Sequence, residues 1–174
     1  AVTTTLTTNF PELATISIKK IFPRTIKIVL TVHPVVTNVL ITVDNTEIDK
    51  QQKKYLVNEE GLVVEENFEN PNLPYITMQR DTFPAMRTTI IPPEMLKKIL
   101  DGIELFTAKF GLKVFDSEYM KVERELRIRT EKYFTVWIDL EQDFEKQLNK
   151  LKKALPKLDI YNTPLEYIDL RISG

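Results

Sequence analysis

The segment YLVNEEGLVVEE, residues 55–66, is the clearest folding signal in this chain. An apolar run stands on each side of the four-residue stretch Asn58-Glu59-Glu60-Gly61. An asparagine at the first position of a turn and a glycine at the last suit a type I turn closed by a left-handed residue. The segment therefore predicts a β-hairpin, and it sets the pattern for the rest of the chain.

A second hairpin is predicted upstream. Residues 14–22 (ATISIKKIF) and 25–32 (TIKIVLTV) alternate between β-branched and polar residues, and Pro23-Arg24 separates them. Such runs, separated by a turn signal, are typical of paired strands. Another strand, VTNVLITV at residues 36–43, follows Pro34. We take residues 34–37 as the boundary between two domains.

Two helices are predicted downstream of the hairpins. The first begins at Pro92-Pro93-Glu94, where proline and an acidic residue suit the first turn, and it ends at Gly111. The second covers about Gln142 to Leu155 and ends at Pro156. The apolar stripes of the two helices are Met95, Ile99, Ile103 and Phe106, and Phe144, Leu148, Leu151 and Leu155.

Strands are predicted between and after the helices. KVERELRIR, residues 121–129, places Val122, Leu126 and Ile128 on one face, and YFTVWIDL, residues 133–140, follows it. Strands grouped in hairpins, with few helices, favour an α+β fold. The sequence therefore predicts a mostly antiparallel sheet with two packing helices.

Composition excludes several classes of function. The chain has 174 residues, 43% of them hydrophobic, and a net charge of -1, so it lacks the basic excess of a nucleic-acid-binding domain. It contains no cysteine and one histidine, His33, which excludes thiolate sites, disulfides and multi-histidine metal centres. No glycine-rich phosphate loop is present, and we expect no cofactor.

The sequence contains no candidate membrane span. No apolar run approaches the roughly 20 residues that a span needs, and no secretory signal is visible. The chain begins at Ala1 without an initiator methionine. We interpret it as a processed or excised piece of a longer protein, so an anchor outside this sequence is compatible with it.

Catalytic sites are poorly supported. Asp139 and Asp169 would form a carboxylate pair if their strands were adjacent, but glycosidase chemistry needs two carboxyl groups at a set separation around a cleft. No serine lies in a G-x-S-x-G setting, and His33 has no triad context. We expect a protein that is not an enzyme.

The last ten residues, LEYIDLRISG at 165–174, form an alternating strand. Ile168 and Leu170 point to one side of an extended chain, and Tyr167, Asp169 and Arg171 point to the other. One interpretation is an ordinary sheet edge with a polar outer face. The other is an edge that accepts a partner strand, because an exposed edge presents unpaired backbone groups.

Four motifs, in chain order, resemble the bacterial cell-division protein family FtsQ/DivIB. They are IKKIFPRTIKIVLTVHPVV, similar to the end of a POTRA module, the hairpin YLVNEEGLVVEE, the Leu-Pro step in LPYI at residues 73–76, and the closing strand EYIDLRISG. Together with the elements between them, they cover about residues 13–174. The departures are His33-Pro34, where many members carry an acidic and a basic residue, and the absence of the first POTRA strand and helix.

This resemblance implies a domain organisation and a location. Residues 1–36 are then the C-terminal part of a POTRA domain, and residues 37–174 are an FtsQ-type β-domain. Family members are single-pass proteins of the cell membrane with this region on the extracytoplasmic side. They act as divisome scaffolds that bind partners of the FtsB/DivIC and FtsL type during septum formation. The alternative is another POTRA-bearing, polypeptide-binding module of an export or outer-membrane assembly system.

The resemblance also implies that the closing strand binds the partner by strand addition. Trp137 either covers the far side of the sheet or widens this contact surface. The basic residues of the preceding strands either form a solvated, paired face or steer an acidic partner. The expected partner-binding residues are Leu165, Glu166, Tyr167, Asp169, Arg171, Trp137, Arg127, Arg129 and Lys132.

Overall fold

A computed structural model describes residue 6 and residues 8–46, 49–158 and 165–172. Alternating β-branched and apolar segments form extended strands because their side chains pack well on a pleated surface. The strands are β1 (Leu13–Ile21), β2 (Thr25–Val32), β3 (Val35–Thr46), β4 (Asp49–Asn58), β5 (Val63–Glu66), β6 (Tyr75–Arg80), β7 (Val114–Met120), β8 (Glu125–Thr130), β9 (Thr135–Asp139) and β10 (Tyr167–Asp169). The helices within residues 49–158 are α1 (Pro93–Phe110) and α2 (Phe144–Ala154), and a 3₁₀ turn at Leu155–Lys157 follows α2.

Eight of these strands form one mixed sheet in the order β10-β9-β8-β7-β6-β3-β4-β5. The pairs β3–β4, β4–β5, β7–β8 and β8–β9 are antiparallel. The pairs β3–β6, β6–β7 and β9–β10 are parallel. Two of the parallel pairs follow from crossovers through α1 and α2, since a parallel neighbour needs a long connection. The predicted α+β fold with two packing helices is confirmed.

The core lies between one face of this sheet and the two helices. Leu96, Ile99 and Phe106 of α1, and Leu148 and Leu151 of α2, are buried with the inward side chains of the strands. At α2, the buried amide of Gln147 accepts from the Asp139 N–H at 2.9 Å and donates to the Asp139 carbonyl at 2.8 Å. This exchange fixes the end of β9 against the helix.

Both helices begin and end close to their predicted bounds. α1 follows Pro92 and carries Glu94 in its first turn, and the N–H of Gly111, at φ 64°, donates to Thr107 O at 2.8 Å. α2 begins after Asp143, whose side chain accepts from the Lys146 N–H at 2.8 Å. An N-cap carboxylate satisfies a backbone donor that has no partner within the helix.

The central hairpin forms as its turn residues predict. Gly61 has φ 70°, and its N–H donates to Asn58 O at 2.9 Å. The Asn58 side chain accepts from the N–H groups of Glu60 and Leu62 at 3.1 and 3.0 Å. Asparagine therefore fixes both the start and the exit of the turn.

The β1–β2 hairpin is separate from the large sheet. It pairs Ile16 with Leu30, Ile18 with Ile28 and Lys20 with Ile26, so these side chains share one face. Ile18, Ile26, Ile28 and Leu30 are all exposed. Among the described residues, the hydrophobic core begins after this hairpin. Val39 is part of that core, and Val36 packs against it.

Three local predictions were wrong or incomplete. Val122 was expected in a strand, on one face with Leu126 and Ile128, but it is 89% exposed in the turn between Met120, where β7 ends, and Glu125, where β8 begins. β6 was not predicted. The closing strand, predicted within residues 165–174, pairs over Tyr167–Asp169 alone among the described residues. Among the described residues, no helix is both long enough and apolar enough to cross a membrane.

Candidate protein interface at the edge strand

The two edges of the eight-stranded sheet differ. The outer edge of β5 is covered by residues 87–90, because Arg87 N–H donates to Val63 O at 2.9 Å and Val63 N–H donates to Thr88 O at 3.0 Å. Ile90 N–H also donates to Gly61 O at 2.8 Å. At the opposite edge, no described residue pairs with the outer side of β10. This edge of the sheet is therefore open within the described part of the chain.

The hydrogen bonds of β10 show which backbone groups face outward. Thr135 N–H donates to Glu166 O at 3.1 Å, and Leu170 N–H donates to Trp137 O at 3.0 Å. Backbone groups of successive residues alternate in direction along a strand. The N–H and C=O groups of Tyr167 and Asp169 therefore point away from β9, where an added strand would bind them.

Aromatic and basic side chains cover the solvent-facing side of this edge. Tyr167 is 49% exposed and stacks on Trp137 with a ring-centroid separation of 4.5 Å and an interplanar angle of 14°. The guanidinium groups of Arg127 and Arg171 lie 4.5 and 4.8 Å from the centre of the Trp137 ring. Trp137 thus lies beside the final strand, on the face opposite the helices.

A chain of ion pairs runs across β7, β8 and β10 on the same face of the sheet. Arg127 lies 3.7 Å from Glu118 and 3.5 Å from Glu125, and Arg171 pairs with both Glu125 and Asp169. Hydrogen bonds from Arg171 lower the pKa of Asp169 and in turn raise the pKa of Arg171. The charges of this surface are therefore largely paired within the protein.

The remaining predicted site residues lie around this cluster. Arg129 is in the same cross-strand row as Thr135 and Tyr167, and its Nε donates to Asp116 Oδ1 at 3.1 Å. Lys132 is exposed in the turn between β8 and β9. Glu166 is exposed, whereas Leu165 packs partly against the core.

The sequence did not indicate that Glu118 and Glu125 form ion pairs within this site. Each shares a sheet face with Arg127, because the register pairs Glu118 with Arg127 and Glu125 lies two residues before it. The two-residue spacing of Glu125 and Arg127 was the sequence feature that could have indicated this pairing. The link from Glu125 to Arg171 joins residues 46 positions apart, and no local pattern indicates it.

The open edge is short because side chains satisfy the backbone that follows it. Arg171 N–H donates to Asp169 Oδ1 at 3.0 Å. Gln142 Nε2 and Lys150 Nζ donate, each at 3.4 Å, to the carbonyl oxygens of Arg171 and Ile172. An incoming strand would therefore pair with Leu165–Asp169, a shorter stretch than the sequence suggests.

The two aspartates considered for catalysis have structural roles. Asp169 is held by Arg171, with distances of 2.8 Å to Nε and 2.6 Å to Nη2. Asp139 accepts from the Glu141 N–H at 2.7 Å and from Gln142 Nε2 at 2.8 Å. These carboxylates end their strands rather than line a cleft together.

His33 lies at the junction between the small hairpin and the sheet. Its Nδ1 is 2.8 Å from Glu59 and 3.8 Å from Glu60, and the three side chains are close enough to share a cation. Both glutamates belong to the exposed turn of the central hairpin. This contact joins the small hairpin to the large sheet. That structural role explains why the three side chains lie together.

A sequence model of the family described as cell division protein FtsQ/DivIB, C-terminal, matches residues 48–171. The matched region begins one residue before β4 and includes β10 and Arg171, which follows it. No curated protein matches the chain.

Proposed function

Because this chain belongs to the FtsQ/DivIB family of membrane-anchored cell division proteins, we propose that it is an extracytoplasmic scaffold of the bacterial divisome. In this proposal, partner proteins of the FtsB/DivIC and FtsL type bind by adding a strand to β10, and this attachment supports septum formation. The family gives the chain its role in cell division. The partners and the mode of binding are our inference.

The observation that carries this proposal is the asymmetry of the large sheet. Its β5 edge is covered by residues 87–90, whereas the outward backbone groups of Tyr167 and Asp169 lie at the opposite edge without a neighbouring strand among the described residues. Natural sheets usually protect such an edge. An added strand gains main-chain hydrogen bonds, and its alternate side chains provide specificity.

Tyr167 is the expected anchor of this interface. It is half exposed and held by the Trp137 stack, so it presents a rigid aromatic surface beside the open backbone. Tyrosine is enriched among the residues that dominate binding energy. Binding in this way needs no reacting group, and we propose that the protein acts without catalysis.

The proposal extends to the first residues of the chain. We assign residues 1–36 to the C-terminal part of a POTRA domain and residues 37–174 to the β-domain. The apolar face of the β1–β2 hairpin, which includes Ile18, Ile28 and Leu30, supports this assignment, because it is exposed among the described residues and suits packing against a further element. A native chain anchored by an N-terminal membrane span is part of the same proposal.

A titration with the soluble domain of an FtsB/DivIC-type protein tests the proposed interface. We expect Tyr167→Ala to weaken binding by about 2 kcal/mol or more, which is about 30-fold in Kd, because truncation removes a central aromatic anchor. Phe115→Ala is the matched control, since Phe115 is an aromatic side chain on β7 that is 46% exposed. Its affinity should equal that of the wild type.

Three results would contradict the proposal. They are no binding by the wild-type protein, unchanged affinity in Tyr167→Ala, or an equal loss in Phe115→Ala. Binding that survives Tyr167→Ala and is lost when the apolar face of the β1–β2 hairpin is made polar would favour the export-type, polypeptide-binding alternative.

A further inference from the structure

Glu125, at the start of β8, is a buried carboxylate on the sheet face that carries the Tyr167–Trp137 stack. It is 8% exposed, one of its oxygens accepts from Arg171 Nη1, and the other lies 3.5 Å from Arg127 Nη2. Burying a carboxylate is costly unless it is paired. Arg127 and Arg171 provide this pairing, and Arg171 follows the last residue of β10 by two positions.

Arg171 lies where the edge strand ends. Its Nε and Nη2 donate to Asp169 at 2.8 and 2.6 Å, and its backbone N–H donates to the same carboxylate at 3.0 Å. Its Nη1 reaches across β9 to Glu125 on β8. Glu125 and Asp169 therefore hold one guanidinium from two sides, and this contact attaches the end of β10 to a strand that it does not pair with.

The attachment matters because β10 has little backbone pairing of its own. It pairs with β9 at Tyr167, Ile168 and Asp169. A short edge strand opens more easily than a central one, since few hydrogen bonds and contacts oppose its opening. A partner that adds to β10 must bind the form in which this strand is already in place.

We infer that Glu125 is a positioning residue for the interface: it holds β10 in the sheet through Arg171 and does not itself contact the partner. The consequence for binding rests on the proposed function. The consequence for the unbound protein does not, because it concerns only whether β10 stays paired with β9.

Amide hydrogen exchange in the unbound protein tests this role directly. The N–H groups of Thr135 and Leu170 bond across the β9–β10 pair and report its opening. We expect Glu125→Gln to speed exchange at both by about tenfold. The N–H of Asn38, which donates to Pro74 O at 2.9 Å, is the internal reference and should not change.

The matched control is Asp116→Asn. Asp116 is also a partly buried carboxylate on this sheet face, but its partner is Arg129 of β8 and not a residue of the closing segment. This variant should leave the exchange of Thr135 and Leu170 unchanged. Equal acceleration in the control would show that β10 responds to any loss of charge on the face and would overturn the assignment to Glu125.

A second variant separates positioning from general stability. Arg171→Gln removes the other end of the same contact, so it should speed exchange at Thr135 and Leu170 as Glu125→Gln does, and combining the two should add little. If Glu125→Gln does not fold, Arg171→Gln still provides the test. Unchanged exchange at Thr135 and Leu170 in the folded variants would overturn the inference.

The same variants are then titrated with the FtsB/DivIC-type domain. We expect Kd to rise about tenfold in Glu125→Gln, whereas the Phe115→Ala control should bind like the wild type. If exchange responds as expected but the wild type binds nothing, the positioning role of Glu125 stands and the proposed function fails. A third outcome is that Glu125→Gln binds as tightly as the wild type although its Thr135 and Leu170 amides exchange faster. Glu125 then holds β10 in the sheet, but partner binding does not depend on it.

Discussion

At the scale of single residues, two glycines in the left-handed region have different reasons to be glycine. Gly61 and Gly111 have φ values of 70° and 64°. A Cβ at Gly61 would lie 1.8 Å from the carbonyl oxygen of Ile91, whereas a Cβ at Gly111 would have no atom within 4 Å. Gly111 needs only the backbone conformation, but Gly61 also needs the space.

This difference predicts unequal costs for the same substitution. Gly111→Ala should lower the free energy of unfolding by about 1–2 kcal/mol, the usual cost of a left-handed alanine. Gly61→Ala should lower it by about 3 kcal/mol or more, because the chain that covers the β5 edge must also move. Urea unfolding measures both. Equal losses would show that the contact with Ile91 is unimportant.

Single residues also show what could be predicted of the site. The alternation of the last strand placed Tyr167 and Asp169 on one face. The same alternation in β9 placed Trp137 on the face opposite its buried neighbours Val136 and Ile138. The structure brings these residues and Arg127 together. Whether they bind a partner remains a prediction. The role of Glu125 could not be predicted, because its contact with Arg171 depends on how β8 and β10 lie on either side of β9.

At the scale of elements, the two helices pack through a glycine. Gly102 is buried in α1, and a Cβ there would lie 2.5 Å from two ring carbons of Phe144, the first residue of α2. Glycine in a helix costs about 1 kcal/mol relative to alanine. The close approach of the Phe144 ring explains why this weak helix former stands inside α1.

A double-mutant cycle tests that explanation. With Phe144 present, Gly102→Ala should destabilise the protein by about 1 kcal/mol, since overpacking outweighs the gain in helix propensity. In a Phe144→Ala background, the same change should stabilise it by about 1 kcal/mol. The measurement is the free energy of unfolding in urea. An identical effect in both backgrounds would rule out the contact as the reason.

Elements also differ in how well the sequence predicted them. The hairpin at residues 55–66 and both helix ends were predicted because turn and cap residues act locally. β6 was missed because it is short and lies in a proline-rich stretch with little periodicity. Its pairing comes from β3 and β7, which are distant in the chain. The error at Val122 arose because an apolar residue in a tight turn looks like the start of a strand.

At the scale of the whole molecule, the small hairpin and the large sheet are distinct structures. Contacts between them include the pair His33–Glu59 at 2.8 Å and the pair Arg87–Glu12 at 3.0 Å. The large sheet carries the core, and it has one covered edge and one open edge. The proposed scaffold role depends on that open edge.

The most direct test of this role follows the amide hydrogens of Tyr167 and Asp169 in the unbound protein and in its complex with the FtsB/DivIC-type domain. Asn38 is the reference, because its N–H is bonded to Pro74 O at 2.9 Å and β3 lies five strands away from β10 in the sheet. If a partner strand is added to β10, exchange at Tyr167 and Asp169 should slow by at least about tenfold in the complex. A complex that forms while both amides keep their unbound exchange rates would contradict strand addition at this edge.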